Sequence, residues 1–235
     1  MLVAHTPGPN GEWHSLAVHL HAVAEAAAAH AERFGGERLA WWAGLLHDVG
    51  KASPEFQEYL QRCAVAPGRR FRSTDHKSAG AVQALAFADL LAFPILGHHS
   101  GIPNREDVRL KLKERAADTQ VQIALERCRS SGLLPDPLPA RGAVLPPAHL
   151  SGPNGKLDSV DVDFFLRLLL SSLVDADHTD TERHRNPEDA TRRAEPLPDI
   201  AALAGTLLQD QEALIDASAR SAKHGQPLEL HQARE

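Results

Sequence analysis

Apolar positions recur along this chain at three- and four-residue intervals and never in sustained alternation, so the pattern predicts helices rather than strands. Residues 14–33 (HSLAVHLHAVAEAAAAHAER) read as one helix, with Leu16, Leu20, Val23 and Ala27 as its buried stripe and Gly35-Gly36 as its stop. Residues 37–48 (ERLAWWAGLLHD) form a second, closed by Val49-Gly50. Ser53 followed by Pro54 is an N-cap with proline at the first helical position, opening a third helix that runs to Arg62. After an arginine-rich loop, Asp75 starts HKSAGAVQALAFADLLA, which Pro94 closes. The short apolar piece PILGHH precedes Gly101 and Pro103, and residues 104–131 form a longer polar helix. Residues 132–156, rich in Pro and Gly, are irregular. Residues 160–178 are apolar almost all round, which marks a buried central helix, and a last helix spans 199–222. The expected fold is all-α: one domain over residues 1–235, a helical bundle with its core in 14–185, a buried central helix and an irregular Pro/Gly-rich insertion.

Composition narrows the class. Hydrophobic residues make up 43% of the chain and aromatics only 5%, which favours helix over sheet. No run reaches the roughly 18 apolar residues of a membrane span, and MLVAHTPGPN carries no signal-peptide pattern. Cys63 and Cys128 sit in neither metal-binding nor redox spacing. A soluble, cytoplasmic protein is expected. The net charge of −6 argues against a broad nucleic-acid surface, although a nuclease needs only a local basic track. The 14 histidines, spread along the chain, change the picture most.

The strongest chemical signal is His47-Asp48 at the end of an apolar helix, in GLLHDVGKAS. Burying both is costly without a positive partner, and a divalent cation supplies one. Gly50 allows a sharp turn there, and Lys51, one turn beyond His47, can hold a phosphate oxygen or protonate a leaving group. Taken alone, the pair is an ordinary helix end with a capping Asp. His98-His99 alone is a loop doublet, and His76, in DHKSAGA, an unremarkable helix-start residue. His19 borders the apolar stripe of its helix and reads singly as a satisfied core histidine; His14 is within reach near the helix start. Asp175 and Asp177 end the central helix, where acids oppose the macrodipole, and an all-round apolar helix does not choose between them. Together the set supplies five imidazoles and two carboxylates, with Asp48 the natural bridge between two ions.

These segments carry a resemblance. GLLHDVGK resembles the signature of the HD superfamily of metal-dependent phosphohydrolases. The series SLAVHLHAVAE, LLHDVGKASPEFQEYL, DHKSAGA, ILGHHSGIP and LVDADHTDTE, over residues 14–185, is similar to the HD nuclease domain of the CRISPR-associated helicase–nuclease of type I interference. The resemblance implies an HD-domain bundle that cuts single-stranded DNA as endonuclease and exonuclease with two divalent metal ions drawn from Mn, Co, Ni, Fe or Mg. His19, His47, Asp48 and Asp177 would hold one ion, with Asp175 in reserve. Asp48, His76, His98 and His99 would hold the other, and Lys51 would assist at the phosphate. Ser100 and Gly101 would line the mouth. Arg69, Arg70, Arg72 and Lys77 beside the site, and Arg105, Arg109, Lys111, Lys113 and Arg115 after His99, offer a local basic track, although the second cluster also reads as one solvated helix face. Implied partners are a helicase, fused or separate, and the CRISPR RNA-guided surveillance complex, with no membrane. No Walker-type phosphate loop occurs, and the ending LELHQARE resembles the start of a fused helicase. The short interval between His19 and His47 and the net acidity depart from the family pattern.

Two other readings compete. A nucleotide or cyclic-nucleotide phosphohydrolase would share the HD pair but need a closed base pocket. A non-catalytic docking module for a helicase would carry broken ligand sets.

Overall fold

The computed structural model describes residues 1–151, 154, 158–193 and 199–223, in two compact units, Met1–Thr191 and Arg192–Glu235. The ending LELHQARE lies outside the described residues. The first unit opens with a two-stranded antiparallel sheet, β1 (Val3–His5) and β2 (His14–Ser15), which pairs His5 with His14. Then follow α1 (Leu16–Ala31), α2 (Glu37–Leu46), α3 (Pro54–Val65), α4 (Ser78–Ala84), α5 (Ala92–Gly97), α6 (Arg105–Arg115), α7 (Thr119–Ser130) and α8 (Ser159–Arg185). The short α9 (Pro187–Arg193) reaches the unit boundary, and α10 (Ile200–Lys223) belongs to the second unit. The fold is all-α apart from that small sheet, and no described helix is long and apolar enough to cross a membrane.

Each element follows from local chemistry. α1 passes into a 3-10 turn, Glu32–Phe34, that stops at Gly35, whose φ of 69° is left-handed, while the Gly36 N–H donates to Ala31 O at 3.0 Å. Ser53 caps α3 by accepting from the Phe56 N–H at 3.2 Å, with Pro54 at the first helical position. α1, α2 and α8 enclose the core, with Leu16, Leu20, Val23, Leu45, Leu46, Leu169 and Leu173 all fully buried. Each such side chain contributes about 1.5–3 kcal/mol by leaving water.

Five local expectations need correction. His14 lies in a strand rather than at the start of α1, because residues 3–5 pair with it. The segment after Asp75 is two short helices, and Pro94 sits in the first turn of α5, where a missing N–H costs no hydrogen bond. Residues 104–131 break into α6 and α7, since Asp118 accepts from the Gln120 and Val121 N–H groups and starts a new helix. The central helix extends to Arg185 and is buried on one side only: Phe165, Leu166, Leu169, Ser172, Leu173 and Ala176 face the core while Phe164 is 63% exposed. Gly50 does not supply a left-handed turn; a Cβ there would collide with the His76 backbone, so its value is close approach.

Candidate metal centre

The centre forms where α1, the end of α2, the start of α4, the end of α5 and the middle of α8 meet. Asp48 is its hub and is 1% exposed. Its Oδ2 lies 3.4 Å from His19 Nε2 and 3.2 Å from His47 Nε2, and Asp177 Oδ1 lies 3.4 and 3.7 Å from the same two nitrogens. Its Oδ1 lies 3.6 Å from both His76 Nε2 and His98 Nε2. His99 Nε2 faces His76 Nε2 at 3.1 Å, a separation at which two ring nitrogens need a proton or a cation between them. Two four-residue donor sets result: His19, His47, Asp48 and Asp177, and Asp48, His76, His98 and His99, each with its ligand atoms within 4.8 Å of one another.

The rings are aimed by their far nitrogens. His47 Nδ1–H donates to Gly44 O at 2.7 Å, and His98 Nδ1–H donates to Ile95 O at 2.7 Å; each carbonyl lies three residues back on the same helix. His76 Nδ1–H is directed more loosely at Thr74 O, 3.4 Å away. A carbonyl can only accept, so each of these rings carries a proton on Nδ1 and turns Nε2 to the centre. His19 Nε2, His47 Nε2, His98 Nε2 and Asp48 Oδ1 are buried without a hydrogen-bond partner. Leaving a buried polar atom unsatisfied costs about 1–3 kcal/mol, so four at one point require an explanation. Divalent cations between imidazoles and carboxylates provide it, and the donor chemistry fits.

Burial works against charge on His47, but Asp48 and then Asp177 outweigh it and push its pKa up to about 10. Burial also opposes ionised Asp48, yet His47 and Lys51 hold its carboxyl well below the usual range. Burial lowers His76, and partial burial with His98 and His76 alongside lowers His99 to about 4, which keeps both rings in the neutral form a cation requires.

The other expected residues fall as follows. Asp177 and Asp175 separate cleanly: Asp175 is exposed and 3.3 Å from His30. Lys51 is 6% exposed, with Nζ 2.6 Å from Asp48 Oδ2 and 3.2 Å from His5 Nε2, so it sits behind the centre rather than at a mouth. His99 and Ser100 are exposed. Lys77, next to His76, is half-buried, and α6, which begins with the exposed Arg105, packs on α4 and α5. Arg69 lies over the Phe71 ring at 5.2 Å, as does Arg62, and Arg70 is exposed. No described contact joins Arg69, Arg70 or Arg105 to the donor sets.

Sequence reasoning missed His5, Asp180 and His184 and named His14 only as a residue within reach. His5, His14 and His19 form a third close group, and the His184 ring stacks on His14 with centroids 4.5 Å apart. Apart from His19 Nε2, its nitrogens have partners: His5 Nε2 faces Lys51 Nζ, His5 Nδ1 faces His14 Nδ1, and Asp180 Oδ2 faces His19 Nδ1 and His14 Nε2. The signal available was the spacing of Asp177, Asp180 and His184, which share one face of a helix.

Among family models, the one described as HD domain matches residues 16–128. No curated protein matches the chain. The matched stretch contains His19, His47, Asp48, His76, His98 and His99, while Asp177, Asp180 and both strands lie outside it. The HD-domain match thus takes in all of one donor set and three of the four residues of the other.

Proposed function

We propose that this protein is a metal-dependent nuclease that hydrolyses phosphodiester bonds of single-stranded DNA in type I CRISPR interference. The observation that carries the reading is the position of Asp48, whose two carboxylate oxygens face two separate donor sets. His19, His47, Asp48 and Asp177 would hold one divalent cation and Asp48, His76, His98 and His99 the other. Such a pair supplies an activated water and charge stabilisation for both the attacking and leaving oxygens of a phosphodiester. The chain's own contribution is orientation: backbone carbonyls of α2 and α5 fix the rings of His47 and His98, and burial keeps water from competing for the donors. Lys51 acts through Asp48, whose Oδ2 it holds at 2.6 Å.

The exposure of His99 and Ser100 supports a polymeric substrate, since an extended chain would approach the centre from their side. Lys77, which follows His76 in the chain, and the exposed Arg105, Arg69 and Arg70 would supply a track on which phosphates lie. A helicase, fused or separate, and an RNA-guided surveillance complex would deliver the strand. The deciding experiment incubates metal-stripped protein with circular single-stranded DNA and added Mn²⁺, Co²⁺, Ni²⁺ or Mg²⁺. Cleavage of the circle supports the reading; turnover of nucleotides alone, or inertness with every metal, defeats it.

A further inference from the structure

The two nitrogens of His19 point in different directions. Nε2 lies 3.4 Å from both Asp48 Oδ2 and Asp177 Oδ1, whereas Nδ1 lies 2.6 Å from Asp180 Oδ2. A carboxylate only accepts, so the Nδ1 proton is held by Asp180 and the Nε2 lone pair is turned to the centre. Asp180 is 8% exposed and lies three residues beyond Asp177 on α8, so one helix face supplies both acids. The same Asp180 oxygen is 3.4 Å from His14 Nε2. His14 Nδ1 is 3.0 Å from His5 Nδ1, His5 Nε2 is 3.2 Å from Lys51 Nζ, and Lys51 Nζ is 2.6 Å from Asp48 Oδ2. The buried groups thus close a ring that begins and ends at Asp48.

The ends of this chain decide where its protons sit. The Lys51 ammonium can only donate and Asp180 can only accept. His5 therefore accepts at Nε2 and donates from Nδ1, and His14 accepts at Nδ1 and turns its Nε2–H toward Asp180.

We infer that Asp180 is a positioning residue that holds His19 as a metal ligand, and that His14 and His5, carried on the β1–β2 hairpin, brace Asp180 from Lys51. The inference rests on the reading of His19, His47, Asp48 and Asp177 as a cation seat. It gives the hairpin a purpose: the sheet pairs His5 with His14 and docks them behind α1.

The test measures Mn²⁺ binding to the metal-stripped full chain by titration calorimetry and equilibrium dialysis. Wild-type protein takes up two ions per chain. Asp180→Leu weakens the ion held by His19 by about 10–100-fold, the cost typical of losing a carboxylate behind a ligating histidine, and leaves the other ion in place. Asp180→Asn keeps an oxygen for the His19 Nδ1–H and recovers most of that affinity; His14→Phe gives a smaller loss at the same seat. Long-range ¹H–¹⁵N spectra of metal-free wild-type protein at neutral pH show the His14 proton on Nε2 and the His5 proton on Nδ1, and decide the point should Asp180→Leu fail to fold. Unchanged affinity for both ions in folded Asp180→Leu, or a His14 proton on Nδ1, overturns the inference. Absence of Mn²⁺ uptake by wild-type protein overturns the cation seat itself, which separates the two failures.

Discussion

His47 Nε2 lies 3.2 Å from Asp48 Oδ2, although consecutive residues of a helix project about 100° apart. The backbone resolves this. His47 still has helical angles, φ −53° and ψ −36°, while Asp48 has left the helix at φ −121° and ψ 14°. Ending α2 between the two residues lets neighbours converge on one point from different directions. The same break sends the chain into the 3-10 turn Val49–Ala52, which carries Lys51 back onto Asp48.

Asp48→Ala should therefore empty both seats at once and bring cleavage to background. In the metal-free protein it also strips the buried Lys51 ammonium of its carboxylate, a change that costs about 3–5 kcal/mol, so the helical fold persists with a lower denaturation midpoint. Cleavage of circular single-stranded DNA, Mn²⁺ uptake and urea denaturation check the three parts. Wild-type cleavage in this variant contradicts the shared role of Asp48.

Lys51→Ala removes the ammonium but none of the donors. Two Mn²⁺ ions should still bind per chain, while turnover slows because Asp48 loses the contact that fixes its Oδ2. Loss of bound metal in this variant counts against a role exerted through orientation.

Stability of the metal-free protein should peak near neutrality. His47 is raised to about 10, above the ordinary value of about 6.5, so its contribution is full below pH 6.5 and is lost as pH rises through about 10. His14 and His99, lowered to about 4, and the lowered His5 and His76, contribute in the opposite sense: their share is present above pH 6.5 and is lost as pH falls below it. Cation binding must displace the His47 proton, so Mn²⁺ affinity should climb from pH 6.5 toward 9, with proton release visible by calorimetry in buffers of different ionisation enthalpy. A pH-independent affinity over that range would rule this out.

Much of this centre was legible because His47 and Asp48 close α2 and His98 follows α5, and helix ends leave strong marks in a sequence. Ser53-Pro54, Gly35-Gly36 and the apolar run before His47 located α1, α2 and α3, and with them His19, His47 and Asp48. The short strands were invisible: a three-residue strand pairing with a two-residue one has no alternation to detect, and its stability comes from docking on α1. The apolar pattern of 160–178 did not by itself separate Asp177 from Asp175; the preference for Asp177 came from the resemblance. Burial in the structure follows 165, 166, 169, 172, 173, 176, 177 and 180, a stripe defined by what α8 packs against rather than by its own composition.

The basic track is tested by salt. Each lost phosphate contact should reduce the slope of log affinity against log salt by about 0.7 for a single strand. Arg70→Ala and Arg105→Ala should each show that reduction in single-stranded DNA binding measured with Asp48→Asn, a background that prevents cleavage. An unchanged slope removes that arginine from the track.

Gly50→Ala separates the two seats by sterics alone. A Cβ at residue 50 would run into the His76 backbone, which must then move away from Asp48. His47, on the other side, is anchored through Gly44 O and does not depend on that approach. Overpacking of this kind costs about 1–3 kcal/mol, so the protein should fold with a modestly lower midpoint. Mn²⁺ uptake should fall from two ions per chain toward one, the survivor being the ion held by His19, His47, Asp48 and Asp177. Equilibrium dialysis gives the count, and a second substitution, His98→Ala, identifies the survivor: it should not reduce uptake further. If uptake remains at two ions in Gly50→Ala, close packing of the His76 backbone on residue 50 is not what positions the second seat.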